Sequence, residues 1–250
     1  MKLIRTSILA VSLIIITATS SSASDAEKIV KDAFDYWRGT ASVSTTEMVI
    51  HRPAWERRMI IDAWTQGERD SLFVITSPAK DKGNGTLKLG EDMWMYNPKV
   101  NRVIKLPPSM MSQSWQGSDF SNNDLAKSDS LIRDFTHSLT GEEKHEGKRV
   151  YLITSLPKPD APVIWGMIRL KIREDRILLE ETFYDENKEP VKTMTAWDIR
   201  MVGGRLFPMQ WKMRKSDNEK EYTLMVYNKL AFKDKLAPGV LSFNNLKNPK

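Results

Sequence analysis

Hydrophobic residues along this chain keep three different rhythms, and each predicts a different kind of element. The first is an apolar run from Ile8 to Ile16, interrupted only by Ser12, that follows Lys2 and Arg5 and leads into Thr- and Ser-rich sequence ending at Ala23. Crossing a bilayer takes roughly 18–20 consecutive apolar residues, so this run is too short, while the small residues Ser21 and Ala23 suit a signal peptidase. Residues 1–23 read as a secretory signal peptide, and 24–250 as the mature protein, a single soluble domain that works outside the cytoplasm.

The second rhythm is helical. Ala26, Ile29, Val30, Ala33, Phe34 and Trp37 recur at spacings of three and four, giving one wide apolar stripe. Ser24 and Glu27 have the spacing of a capping box, and Gly39 stops the helix.

From Ala41 the period changes to two. Strands are predicted at about 41–51, 56–66, 69–77, 85–90, 92–97 and 101–106, then at 148–157, 163–173, 176–185, 190–202, 205–215 and 220–232. Short connections such as Asp185-Glu186-Asn187-Lys188 make the neighbours antiparallel hairpins, because parallel strands need crossovers of about a dozen residues. Several strands exceed the usual length of roughly five or six residues, and long antiparallel strands favour a curved sheet that wraps toward a barrel. The fold class is mainly β with flanking helices.

Some strands are apolar on both faces. Met93 and Met95 oppose Trp94 and Tyr96, and Leu224 and Val226 oppose Met225 and Tyr227, so both sides of the sheet need cover. Between the two strand groups, Pro107 to about Asn123 has no period yet carries Met110, Met111, Trp115 and Phe120. A stretch that long and that apolar is expected to be a lid rather than a disordered linker. A short helix is predicted to follow, from Asn123 or Asp124 toward Leu139.

Composition narrows the picture. There is no cysteine, so disulfides, thiolate metal sites and a thiol nucleophile are excluded, as is lipid attachment at a cleavage-site cysteine. The net charge of +6 is modest, and in an exported protein it fits anionic headgroups or an acidic protein surface rather than nucleic acid, and equally a solvated surface of mixed charges. No nucleophile elbow, zinc-binding HExxH or phosphate loop occurs, and Gly83-Asn84-Gly85 reads as a hairpin connection. His51, His137 and His145 lack metal-site spacing, Glu142 to Glu146 reads as a solvated turn, and Glu180 and Glu181 fall on opposite faces of a strand. No catalytic residues, metal or cofactor are assigned. Thirteen methionines and eight tryptophans remain as the distinctive material: any one of them suits ordinary core packing, while the set around 93–96 and 110–120, beside the lid, suits an irregular ligand.

The segment Asp92-Met93-Trp94-Met95-Tyr96-Asn97-Pro98, then Arg102-Val103, then Ser114 to Leu125 with its SWQGSDFSNNDL sequence, resembles the outer-membrane lipoprotein-sorting proteins related to the periplasmic lipoprotein carrier (LolA-like). Tyr184-Asp185, Lys192, Gly204, Pro208 and a closing Phe243 with Asn245-Leu246 extend the likeness over most of the mature chain. The resemblance implies an unclosed β-barrel whose hollow, covered by the N-terminal helix and the lid, takes up acyl chains of lipids or lipoproteins moving toward the outer membrane. On this reading Trp94, Tyr96, Met110, Met111, Trp115, Phe120, Met209, Trp211 and Met213 contact acyl chains, and Arg102 and Lys105 face a headgroup or partner. An inner-membrane transporter and an outer-membrane acceptor are the partners implied. The alternative is an envelope sensor or scaffold docking onto a transporter, its hollow filled by its own lid.

Overall fold

The computed structural model describes residues 20–249, so the signal-peptide reading lies almost wholly outside the described residues. Helix α1 spans Ser20–Arg38. It begins upstream of the capping box expected at Ser24, and Glu27 instead accepts a hydrogen bond from the backbone N–H of His137 at 3.1 Å. Its apolar stripe is as anticipated, with Ala26, Val30, Ala33 and Phe34 buried. Gly39, at φ 64°, ends the helix and donates to the Asp35 carbonyl at 2.8 Å.

Thirteen strands form one sheet in which every neighbouring pair is antiparallel. The first group is β1 Ala41–Arg52, β2 Trp55–Gln66, β3 Asp70–Ser77, β4 Gly85–Leu89, β5 Asp92–Asn97 and β6 Arg102–Lys105. The second is β7 Phe135–His145, β8 Lys148–Pro157, β9 Met167–Arg173, β10 Leu178–Tyr184, β11 Pro190–Val202, β12 Arg205–Lys215 and β13 Asn218–Lys233. Strand order across the sheet is β6-β5-β4-β3-β2-β1-β13-β12-β11-β10-β9-β8-β7, so the sheet is not closed and β6 and β7 are its free edges. Each group is a meander of hairpins, and the two join only where β1 pairs with β13.

Two expectations are corrected. The helix predicted from Asn123 toward Leu139 is two short helices, α2 Asn122–Ala126 and α3 Ser130–Arg133, followed directly by β7. Phe135 and His137 are buried while Thr136 and Ser138 are exposed, a period of two that a helix cannot satisfy, and β8 supplies the partner in register. The acidic run is likewise not a turn up to His145: Glu142, Glu143, Lys144 and His145 continue β7, opposite Tyr151, Val150, Arg149 and Lys148. The turn itself is Glu146-Gly147, both at positive φ.

The two-faced stretch β3 to β5 is covered on both sides. On the outer face Leu72, Val74, Leu87 and Tyr96 pack on Leu246 of helix α4, Phe243–Lys247, with Trp94 meeting Phe243 edge-on at 5.1 Å. Gly85 permits this close approach, since a Cβ there would sit 2.6 Å from Leu246 Cδ1. On the inner face Met48, Ile50, Met59, Ile61, Ile75 and Met93 form one cluster with Leu106, Trp115 and Ala126. Phe135, Ile153, Ile168, Leu170, Ile172 and Met213 form another against Val30 and Ala33 of α1.

Candidate functional site: a roofed apolar cavity

Inward positions on β1 to β3 are small. Ser42, Ser44, Thr46, Ala63, Thr65 and Ser71 face the hollow, and the register places Leu230, Ser44, Ala63 and Phe73 in one row. Side chains of this size cannot meet α1 across the curved sheet, so a cavity of about 280 Å³ remains. That is close to the lower end of small-ligand pockets, roughly 300–1,000 Å³, and far above the space one water needs. Its walls are Val30, Ala33, Phe34 and Trp37 of α1, Ile168, Leu170, Ile172, Phe183 and Met194 of β9 to β11, and Phe207, Trp211, Met213 and Met225 of β12 and β13.

The segment between β6 and β7 roofs the remainder through Trp115, Phe120, Leu125 and Leu131. It has little regular structure, but its backbone is tied to itself: Trp115 N–H donates to Phe120 O at 2.7 Å, Asn122 N–H to Gln113 O at 2.9 Å and Asn123 N–H to Met111 O at 2.7 Å. Ser121 and Asp124 form a capping box that starts α2. Trp115, only 4 % exposed, donates its indole N–H to Thr86 Oγ1 at 3.0 Å and meets Phe73 edge-on at 5.7 Å.

Three aspartates five positions apart moor this segment to different parts of the sheet. Asp119 accepts from Arg52 at 3.0 and 3.1 Å and from the Thr223 hydroxyl at 2.7 Å. Asp124 pairs with Lys192 of β11. Asp129 takes Arg69 at 3.0 Å, Arg133 at 3.0 Å and the buried Lys88 at 3.6 Å. Burial outweighs Asp129 and pushes the Lys88 ammonium down to about 8.

Of the residues expected to contact acyl chains, Trp115, Phe120, Trp211 and Met213 stand on the cavity wall. Met111 packs with the cluster beneath the roof, and Met110 is half-buried on a turn whose carbonyl accepts from Asn122 at 2.9 Å. Met209 is half-buried outside the cavity lining. Trp94 and Tyr96 are on the outer face beneath α4, not on the cavity side. Arg102 and Lys105 are exposed on edge strand β6; Lys105 pairs with Asp92 at 2.8 Å and lies over the Trp94 ring, so it shares that outer side.

One wall residue escaped the sequence reading. A register shift between Leu178 and Glu180 sends Glu180 outward and Glu181 inward, where it lies between Leu170 on β9 and Met194 on β11. The row then reads Ile153, Leu170, Glu181, Met194, Met213, one acid among apolar side chains. Glu181 forms no hydrogen bond or salt bridge with any described residue. Burial, reinforced by the nearby Asp124 charge and opposed by Lys192, pushes its carboxyl up to about 8. At neutral pH it is therefore a protonated, hydrogen-bond-donating group that opens into the cavity.

A nucleophile–base geometry does exist elsewhere: Ser155 Oγ lies 2.7 Å from His137 Nδ1, with Glu27 at 3.8 Å from Nε2. Ser155 has no exposed surface, so no substrate reaches it, and burial holds His137 below the usual histidine value. Among the described residues there is no cluster of three or more metal-ligating side chains, and no helix is long and apolar enough to cross a membrane.

Three solved structures share the fold of this unclosed antiparallel sheet. A domain assigned to outer-membrane lipoprotein sorting, from Vibrio parahaemolyticus, aligns with TM-score 0.78 at 19% identity over 90% of this chain and 99% of that one. A DUF1329 family protein from Desulfovibrio piger aligns with TM-score 0.81 at 21% identity over 90% and 99%. A LolA superfamily protein from Nitrosomonas europaea aligns with TM-score 0.72 at 19% identity over 88% and 98%. Residues 67–248 match the model of a family described as "Uncharacterized protein", and the chain belongs to that family. No curated protein sequence matches it.

Proposed function

We propose that this protein is a periplasmic carrier or binding protein that shelters the acyl chains of a lipid or lipoprotein in the cavity beneath the sheet. The observation that carries the reading is the unfilled apolar hollow itself: small inward residues on β1 to β3 keep it open, and the roof lines it without filling it. Hydrocarbon gains about 0.8 kcal/mol for each methylene removed from water, so a preformed dry cavity is what a chain of roughly 15 methylenes needs to cross an aqueous compartment. The similarity in fold to a domain assigned to lipoprotein sorting supports the same reading, as does the signal-peptide pattern of residues 1–23. In this role the protein performs no catalysis, and the apolar wall residues Phe34, Trp115, Phe120, Phe183, Trp211 and Met213 form the acyl contacts.

Ser44 offers the test. Its side chain faces the cavity between Ala63 and Leu230 and takes no hydrogen bond. Ser44→Phe should project a ring into the void and cut uptake of a fluorescent fatty-acid derivative about tenfold or more, with the melting temperature held or raised because the ring fills empty volume. Unchanged uptake by Ser44→Phe, together with no lipid seen by native mass spectrometry on protein purified from its own envelope, would overturn the proposal.

A further inference from the structure

We propose that Glu181 recognises the polar head of the bound amphiphile, and that this head is uncharged and carbonyl-bearing, an ester or amide such as an acylglycerol presents. The inference rests on the reading of the cavity as an acyl-chain site and names the chemistry of the ligand's other end.

Glu181 is the acid in an otherwise apolar row, flanked across the sheet by Leu170 and Met194. The α1 residues that face the cavity, Val30, Ala33, Phe34, Trp37 and Arg38, offer no side-chain acceptor either. An acid placed among such neighbours loses hydration and gains nothing from the fold, which is the arrangement of a group kept for a ligand. In its protonated form it supplies one O–H donor and one carbonyl acceptor.

The surrounding charges decide which head fits. Lys192 is committed to Asp124 and lies over the Trp165 and Phe183 rings at 5.0 and 5.3 Å. Lys127 donates to the Pro162 carbonyl, and Arg38 spends its guanidinium on the carbonyls of Gly67 and Asp70, both at 2.8 Å. Tyr227, the phenol on the wall, is pushed up to about 12 by burial and stays neutral. A carboxylate or phosphate head would find Lys127 and Arg38 already hydrogen-bonded to backbone carbonyls, though neither is paired with a carboxylate, and beside Glu181 it would meet the Asp124 charge. An ammonium head would first require Glu181 to give up its proton. A carbonyl head asks for neither: it accepts from the Glu181 O–H, and a hydroxyl beside it donates back.

The experiment compares three probes of equal chain length, monolauroylglycerol, laurate and dodecylamine, each displacing the neutral dye N-phenyl-1-naphthylamine from the mature protein. Monolauroylglycerol should bind about tenfold tighter than either charged probe near neutral pH, and its affinity should fall several-fold by about pH 9 as Glu181 ionises. Glu181→Gln, which keeps an N–H donor, should retain the preference and lose the pH dependence. Glu181→Leu should still take up the dye but lose the preference. Tighter binding of laurate or dodecylamine, or an unaltered preference in Glu181→Leu, would overturn the proposal while leaving the carrier reading intact. If neither the dye nor any probe binds, the carrier reading fails and the proposal with it.

Discussion

Glu181 also marks itself in stability. Its carboxyl titrates at about 8 in the folded chain against an ordinary value of 4.5. Between those two values the folded state holds a proton that the unfolded state has released, so this group lowers stability as pH rises through the window. Below it both states are protonated and the contribution is flat. Glu181→Gln should therefore melt at a higher temperature than the parent at about pH 8 and nearly the same temperature at about pH 4, which differential scanning calorimetry would read directly. In the sequence Glu181 was visible only as one of two adjacent acids. Which of the pair faces inward depends on the register shift at Leu179, and strand alternation carries no record of such a shift. Asp124 and Lys192, by contrast, were marked by the family-like motif, and the fold brings them together across 68 positions. Trp94 and Tyr96 lie on the outer face, against expectation, for the same kind of reason. Alternation shows that Trp94 and Met93 point apart, not which of them meets the hollow, and only the docking of Leu246 and Phe243 on the outer face decides it.

Among the elements, the segment between β6 and β7 does the most with the least regular structure. Its chemistry was legible as a long apolar stretch without period; its anchoring was not, because Asp119 meets Arg52 and Thr223 only after the chain has travelled around the whole sheet. The Asp119 side chain is 1% exposed and holds a charge-assisted pair with Arg52. Asp119→Ala leaves the Arg52 guanidinium and the Thr223 hydroxyl short of a buried partner and should cost about 3 kcal/mol of stability. Hydrogen exchange should rise first at Trp115, Ser118 and Asn122, whose N–H bonds close the segment on itself, and only afterwards in β1 and β13. Equal protection of the segment in the variant would show that the other two aspartates suffice. Strand β7 was missed because Phe135 to Leu139 is short enough to satisfy either period, and only pairing with β8 selects the strand.

At the scale of the whole molecule, the curved sheet, its antiparallel order and the helix inside it were readable from the long alternating strands and tight turns, since both are local signals. The cavity was not. It arises from Ser42, Thr65 and Ser71 standing in one row, a coincidence of three strands that reads in sequence as scattered small residues. The outer cover was equally hidden, because α4 is only five residues long. Leu72, Leu87 and Leu246 are all fully buried at this contact, so removing residues 240–249 would bare a contiguous apolar face on β3 to β5. The shortened protein should self-associate, with a concentration-dependent shift toward larger species in size-exclusion chromatography, while an elution profile indistinguishable from the parent's would show that α4 is dispensable.

The roof has a mechanical consequence. It is the only covalent link between the two free edges of the sheet, so it works as a drawstring across the mouth of a purse. Each of its three carboxylate knots is tied to a different strand, Asp119 to β1, Asp124 to β11 and Asp129 to β4. A single proteolytic cut between Gln113 and Gly117 should open the purse without unravelling its fabric.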